Sequence, residues 1–224
     1  MLNLTNRTLN EYEGYNPHLH IKEFINNEDY EELLNQYPDD SLFKDEIPDT
    51  RKHGQRPHCR RLMVVKTENE SKYFDPYIKN INDLPFVWQT LLQELQDKDY
   101  KDFICDLLKI NDFRIRFDFH RTQSGLDVSP HVDSVSKYAS HLLYFMPKNW
   151  KNEYGGKTIF YKGKKVTNMN PEPSDFEENK SYSTTGNASL IFKNVEDGWH
   201  GITKVETDNL HRQICNVIIL KKDL

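Results

Sequence analysis

The sequence predicts a mainly β fold, an antiparallel sandwich or jelly roll, with helices gathered at its N-terminal end. Three observations carry this. The hydrophobic period drops from about 3.6 residues to 2 near residue 110. The segments beyond that point are short strands with no helices interleaved, separated by Gly, Pro or Asn. The 224 residues, 36% hydrophobic and 12% aromatic, can bury one substantial core. The expected organisation is a single domain, with residues 1–110 as a helical supporting lobe integral to the fold and residues 111–224 as the β core.

The elements follow in order. "INNEDYEELLNQYP" offers Asn26 or Asn27 as a helix N-cap and places Tyr30, Leu33, Leu34 and Tyr37 at helical spacing. "PFVWQTLLQELQ" starts on Pro85, suited to a first turn, and repeats its apolar face at Trp88, Leu91, Leu92 and Leu95. "KDFICDLLKI" reads as a further short helix. In "DFRIRFDFHR", Phe113, Ile115, Phe117 and Phe119 alternate with Arg114, Arg116, Asp118 and His120, the signature of a half-buried strand. "YASHLLYFMP", "GGKTIFY", "NASLIFKN" and "RQICNVIIL" follow as strands. The polar, aperiodic stretch from Gly163 to Thr185 reads as a long surface insertion, either disordered or a lid.

Composition narrows the function. Thirty Lys and Arg against 35 Asp and Glu give a net charge of −5, which argues against general nucleic-acid binding. No apolar run approaches the roughly 20 residues of a membrane helix, and the first residues lack a signal pattern. Cys59, Cys105 and Cys215 are scattered and odd in number, which disfavours a disulfide framework or a Cys-rich zinc site. A soluble protein of a reducing compartment, the cytoplasm, is expected.

The chemistry starts at "SPHVDS". Residues i and i+2 of an extended segment project the same way, so His131 and Asp133 can grip one ion. A third ligand must come from elsewhere, and His200 in "NVEDGWHGITKV" is the candidate. Two imidazoles and one carboxylate on one face leave open positions, the arrangement of non-haem Fe(II) oxygenases; zinc is the chemical competitor. Arg212 opens an otherwise apolar strand and presents a planar fork that suits a carboxylate, or else an internal salt bridge.

Residues 112–220 resemble the 2-oxoglutarate- and Fe(II)-dependent oxygenases of the prolyl-hydroxylase-like branch. The resemblance runs in order through Gly125, Pro130, His131-x-Asp133, "HLLYFMPKNWKNEYGGKTIFY", "GNASLIF", "WHGITKV" and "RQICNVIIL". The N-terminal "LHIKEFINNEDYEELLNQY" is similar to that family's opening strand and helix. The resemblance implies a double-stranded β-helix, a jelly-roll barrel buttressed by helices. It implies that His131, Asp133 and His200 hold Fe(II) and that Arg212 binds the distal carboxylate of 2-oxoglutarate. It also implies O2 as co-reactant, ascorbate as a stimulant, succinate and CO2 as products, and hydroxylation of an aliphatic C–H.

The chain departs from the family pattern in places. Many relatives have Tyr where Val128 stands, and a cosubstrate-contacting Tyr where Phe145 stands, with Tyr144 beside it. If Phe145 faces inward, alternation turns His141 inward too. His141 is then either a cosubstrate contact or a buried histidine bonded to backbone. Arg121 is either a carboxylate partner in the pocket or a surface residue, while Thr158 and Asn216 are expected to face the barrel interior. His18, His20, His53, His58, His120 and His211 show no metal-like spacing and read as surface or structural. "TRKHGQRPHCRR" carries Arg51, Lys52, Arg56, Arg60 and Arg61 with no acid among them, which is either a solvated loop or a recruiter of an anionic substrate. The substrate is expected to be a peptidyl proline, a small molecule or a saccharide. A jelly-roll binding module without turnover is the alternative class.

Overall fold

A computed structural model describes residues 1–5, 7–46, 60–67 and 77–222. Among the described residues, three α-helices form where the apolar spacing predicts them. In α1 (Asn27–Asn35), the Asn26 side chain caps the first turn by accepting from the Asp29 amide at 2.9 Å. α2 (Phe86–Glu94) follows Pro85 and buries Val87, Trp88, Leu91 and Leu92, each worth roughly 1.5–3 kcal/mol when fully removed from water. The Trp88 indole is satisfied by the Leu33 carbonyl at 3.1 Å, which ties α2 to α1. α3 (Lys98–Leu108) buries Tyr100, Ile104, Leu107 and Leu108.

The strands are β1 (His18–Lys22), β2 (Lys44–Glu46), β3 (Arg60–Val65), β4 (Ile78–Lys79), β5 (Arg114–Thr122), β6 (Val128–His131), β7 (Lys137–Tyr144), β8 (Thr158–Lys164), β9 (Phe176–Ser181), β10 (Ala188–Lys193), β11 (His200–Ile202) and β12 (Arg212–Leu220). Among the described residues they form two sheets. The larger has eight strands in the order β1-β10-β7-β12-β5-β3-β2, with β4 beside β3; the smaller has four in the order β6-β11-β8-β9. All pairings are antiparallel except β3 with β4. This is the expected jelly roll.

The two faces of the large sheet do different work. Leu143, Phe145, Ile191, Cys215, Val217 and Ile219 pack with the helices in the main core. Leu142, Tyr144, Leu190, Phe192 and Ile214 point the other way and meet Phe160 and Trp150 in a second core inside the barrel. The alternation of β7, β10 and β12 assigns every side chain to one face or the other.

The structure departs from expectation in two places. The first 110 residues are not only helical: besides the opening strand that the resemblance implies, β1 at one end of the large sheet, they supply β2, β3 and β4 at the other. The stretch from Gly163 to Thr185 is not an insertion. β8 runs on to Lys164, and β9 pairs back on it from Phe176 to Ser181. Most of β9 is exposed, with Phe176 buried at its start. An edge strand wetted on both faces has no apolar alternation to read, and its pairing is made by backbone alone.

Candidate metal centre and cosubstrate pocket

The fold brings His131, Asp133 and His200 together, with one ligand atom of each lying within 4.8 Å of the others. β6 ends on His131, and Asp133 lies in the segment just beyond it. β11 pairs with β6 so that His200 stands directly opposite His131, the ring centroids 4.4 Å apart. Gly201 makes this approach possible. A Cβ there would meet the Val128 carbonyl at 2.5 Å.

The two imidazoles are held alike. His131 Nδ1 donates to the Ser129 carbonyl and His200 Nδ1 to the Gly198 carbonyl, each at 2.9 Å. A carbonyl only accepts, so both protons sit on Nδ1 and both Nε2 lone pairs are free for a metal. Asp133 is braced from the other side: Lys137 Nζ lies 2.7 Å from Oδ1 and Ser140 Oγ 3.3 Å from Oδ2. Oδ2 faces His200 Nε2 at 3.8 Å, too far for a hydrogen bond.

Protonation matches this geometry. Burial, with the neighbouring His200, pushes His131 down to about 3, and burial likewise lowers His200. Burial opposes ionisation of Asp133, yet the Lys137 ammonium and the two imidazoles hold its carboxyl well below the usual range. At neutral pH the site offers two neutral imidazoles and one carboxylate, the state that metal binding needs.

Arg212 is fully buried on the barrel-facing side of β12. Its Nε donates to the Gly156 carbonyl at 2.7 Å, its Cζ lies 5.8 Å from the centre of the Tyr144 ring, and its Nη2 has no hydrogen-bond partner. A buried, unsatisfied guanidinium N–H is costly unless a ligand meets it. A carboxylate is the ligand its fork fits. Tyr144 donates to or accepts from Thr158 Oγ1 at 2.8 Å, both side chains buried in the barrel wall. Asn216 shares the face of Arg212 and Ile214, and its Oδ1 is buried without a partner. The donor set and the open guanidinium therefore fit iron and 2-oxoglutarate.

Two expected pocket residues lie elsewhere. On β7 it is Tyr144, not Phe145, that faces the barrel; Phe145 packs on Trp88 at 4.7 Å beneath the sheet. His141 shares the parity of Phe145 and is turned away from the pocket, buried against Phe24, with Nδ1 bonded to the Tyr100 hydroxyl at 2.9 Å. Arg121 also lies on the helix side. It donates to the Pro38 carbonyl at 2.9 Å, pairs with Asp40 and sits over Tyr37 and Phe43. Neither is a cosubstrate contact in this structure. Of the basic stretch, residues 50–59 (His53, His58 and Cys59 included) lie outside the described residues, while Arg61 is committed to Asp40 and Asp45. Sequence reasoning missed Lys137 and Ser140. Their spacing of four and seven from Asp133 carries no signal until a turn folds β7 back onto it.

Fold and site together define a jelly-roll barrel with a two-histidine, one-carboxylate candidate metal centre. The family model of the 2OG-Fe(II) oxygenase superfamily matches residues 117–219, spanning β5 to β12. Over that segment the chain matches a 2OG-Fe(II) oxygenase domain, which supports a dioxygenase enzyme. No curated protein matches it in sequence. Among solved structures it is similar to a prolyl-4-hydroxylase from Pseudomonas putida, 10% identical over 92% of this chain and 94% of that one, TM-score 0.62. It is also similar to a Trichoplax adhaerens prolyl hydroxylase in complex with a hypoxia inducible factor peptide fragment, 13% identical over 92% and 84%, TM-score 0.60. A third is the non-heme alpha-ketoglutarate-dependent carbocyclase SnoK of nogalamycin biosynthesis, 10% identical over 93% and 81%, TM-score 0.52. At these identities the likeness is one of fold.

Proposed function

We propose that this dioxygenase hydroxylates an aliphatic C–H of a prolyl residue in a peptide or protein. His131, Asp133 and His200 would hold the iron, and Arg212 the distal carboxylate of 2-oxoglutarate. The observation that carries the cosubstrate reading is the open Nη2 of buried Arg212, in the same barrel as the three ligand atoms. The peptide reading is supported by likeness to two prolyl hydroxylases, one of them solved with a peptide.

Each chain residue has a physical task. Arg212, held by the Gly156 carbonyl, turns its remaining N–H groups to the cosubstrate carboxylate. Tyr144 and Thr158 form a hydroxyl pair on the wall beside it, and Asn216 offers an amide to the same space. Leu142, Leu190, Phe192, Phe160 and Ile214 keep water out. The Ser129 and Gly198 carbonyls orient the imidazoles, and Lys137 with Ser140 orients the carboxylate. Iron and 2-oxoglutarate, when bound, supply O2 activation coupled to loss of CO2, leaving succinate. Ascorbate would stimulate by keeping the iron reduced.

The basic residues Arg51, Lys52, Arg56 and Arg60 suit an anionic peptide, and the free thiols of Cys105 and Cys215 suit a reducing compartment such as the cytoplasm. The test is succinate release by iron-loaded protein given 2-oxoglutarate and O2, with His131→Ala as control. Proline-bearing peptides are then compared with saccharides and small metabolites for stimulation. Stimulation by peptides alone supports the proposal; stimulation by saccharides or small molecules alone replaces the substrate class.

A further inference from the structure

The barrel interior at its β1 end holds a group of side chains that the hydroxylation reaction leaves unused. His18 and His20 project the same way from β1, and His18 is fully buried. The His18 ring stacks on Phe160 at 4.5 Å on one side and on Tyr12 at 4.8 Å on the other. Its Nδ1 donates to the Asn16 carbonyl at 2.6 Å, which places the proton there and leaves Nε2 as an acceptor. The Tyr182 hydroxyl donates to that Nε2 at 2.5 Å. A phenol so bonded to a neutral imidazole can lose an electron and a proton together, because the proton has only to cross the hydrogen bond. The Asn16 carbonyl supports the imidazolium that forms.

The pair is also connected. His200 packs on Phe192 at 4.8 Å, Phe192 on Phe160 at 5.4 Å, and Phe160 on His18, with both phenylalanines buried in the barrel core. Successive rings in contact form a short, gap-free medium for electron tunnelling between the metal site and Tyr182. At the outer end Tyr12 is 36% exposed, which brings the cluster to solvent.

We propose that Tyr182 and His18 form a redox site that discharges the metal centre when no substrate C–H is within reach. An oxidant held at that centre would take one electron from Tyr182 through Phe160 and Phe192. The second electron it needs would come from ascorbate or a thiol, and the protons its reduced oxygen takes up would come from solvent. The phenolic proton of Tyr182 passes to His18 Nε2, and a neutral tyrosyl remains. A one-electron reductant from solution, ascorbate or a thiol, restores the phenolate oxygen's electron, and His18 returns the proton. The inference rests on His200 being a metal ligand, as proposed above.

Two experiments test it, one of them independent of iron. The full-length chain without metal is oxidised by azide radicals in pulse radiolysis, and the tyrosyls are spin-trapped and located by peptide mapping. Tyr182 is expected to carry the largest share, and Tyr182→Phe, which keeps the ring, to lose most of the yield. Trapping distributed according to exposure, with Tyr12 ahead, overturns the redox pair. So does an unchanged yield in Tyr182→Phe. In the second experiment, iron, 2-oxoglutarate and O2 are mixed with the protein without substrate, and one sample is read for succinate and for a freeze-quenched tyrosyl resonance. Succinate with a resonance that Tyr182→Phe abolishes supports the link to the metal. Succinate without the resonance overturns that link. Absence of succinate counts against the dioxygenase chemistry itself, and the radiolysis result then decides the pair.

Discussion

His131 and His200 face each other across the β6–β11 ladder, and each donates Nδ1 to the carbonyl two residues before it. The shared local geometry presents two Nε2 atoms to one point without any other side chain fixing the tautomers. The carboxylate lacks such a backbone tether and is braced by Lys137 and Ser140 instead.

Removing that carboxylate should therefore cost metal affinity before anything else. Asp133→Ala is expected to lose Mn(II) binding by more than the roughly 10–100-fold typical of losing an outer-shell partner, and to abolish succinate release. Titration of the metal-free protein with Mn(II), followed by calorimetry, checks this. Unchanged Mn(II) affinity would remove Asp133 from the site.

Arg212 acts at a different point. Truncating one member of a buried, charge-assisted pair costs about 2–5 kcal/mol, or about 30-fold and upward. Arg212→Ala is expected to weaken 2-oxoglutarate binding to the Mn(II) form by that order while Mn(II) binding is retained. Intact cosubstrate affinity would mean that the guanidinium anchors something else.

Gly155 and Gly156 separate folding from binding. Both have positive φ, 72° and 68°, a backbone conformation that L side chains rarely adopt. At Gly155 a Cβ would lie 1.9 Å from the Lys204 carbonyl oxygen, so Gly155→Ala is expected to destabilise the whole fold. At Gly156 the added Cβ would meet Arg212 Cδ at 3.0 Å and displace the buried guanidinium that the Gly156 carbonyl holds. Gly156→Ala should stay folded and raise the 2-oxoglutarate KM more than it lowers Tm. Equal KM values for Gly156→Ala and wild type would contradict the coupling.

Acid should destabilise the protein through its buried histidines. Burial holds His141 at about 3, against an ordinary value near 6.5. Between those values the unfolded chain binds the proton and the folded chain does not. Stability is therefore full above about 6.5 and falls as pH drops, by about 1.4 kcal/mol per pH unit for one such group. Urea unfolding at pH 7.5 and 5.5 should show the loss, and His141→Gln should reduce it by about one proton's share. An identical loss in the variant would show that His141 is not kept neutral by the fold.

Much of this was legible before any coordinates. The helices at Asn27, Phe86 and Lys98 announce themselves by a cap, a proline and apolar spacing. The strand from Arg114 alternates in plain sight, although Asp118 on its polar face is buried with Arg116 bonded to it. The ligand pair His131 and Asp133 is local, set by two-residue spacing, and Arg212 stands out as a charge heading an apolar strand. β9 was not legible, since an exposed edge strand carries no alternation.

The sequence by itself determined the order of elements, the types of residue available to a metal and a carboxylate, and the presence of two opposite faces on each strand. Only the tertiary structure decided which face looks into the barrel. On β7 the choice fell on Tyr144, with Phe145 and His141 sent to the helix core. Alternation fixes relative orientation within a strand, but its origin depends on which sheet and which helices pack on each side. The same is true of Lys137 beside Asp133 and Tyr182 on His18, where partners 4 and 164 residues apart meet because strands, not sequence, are adjacent.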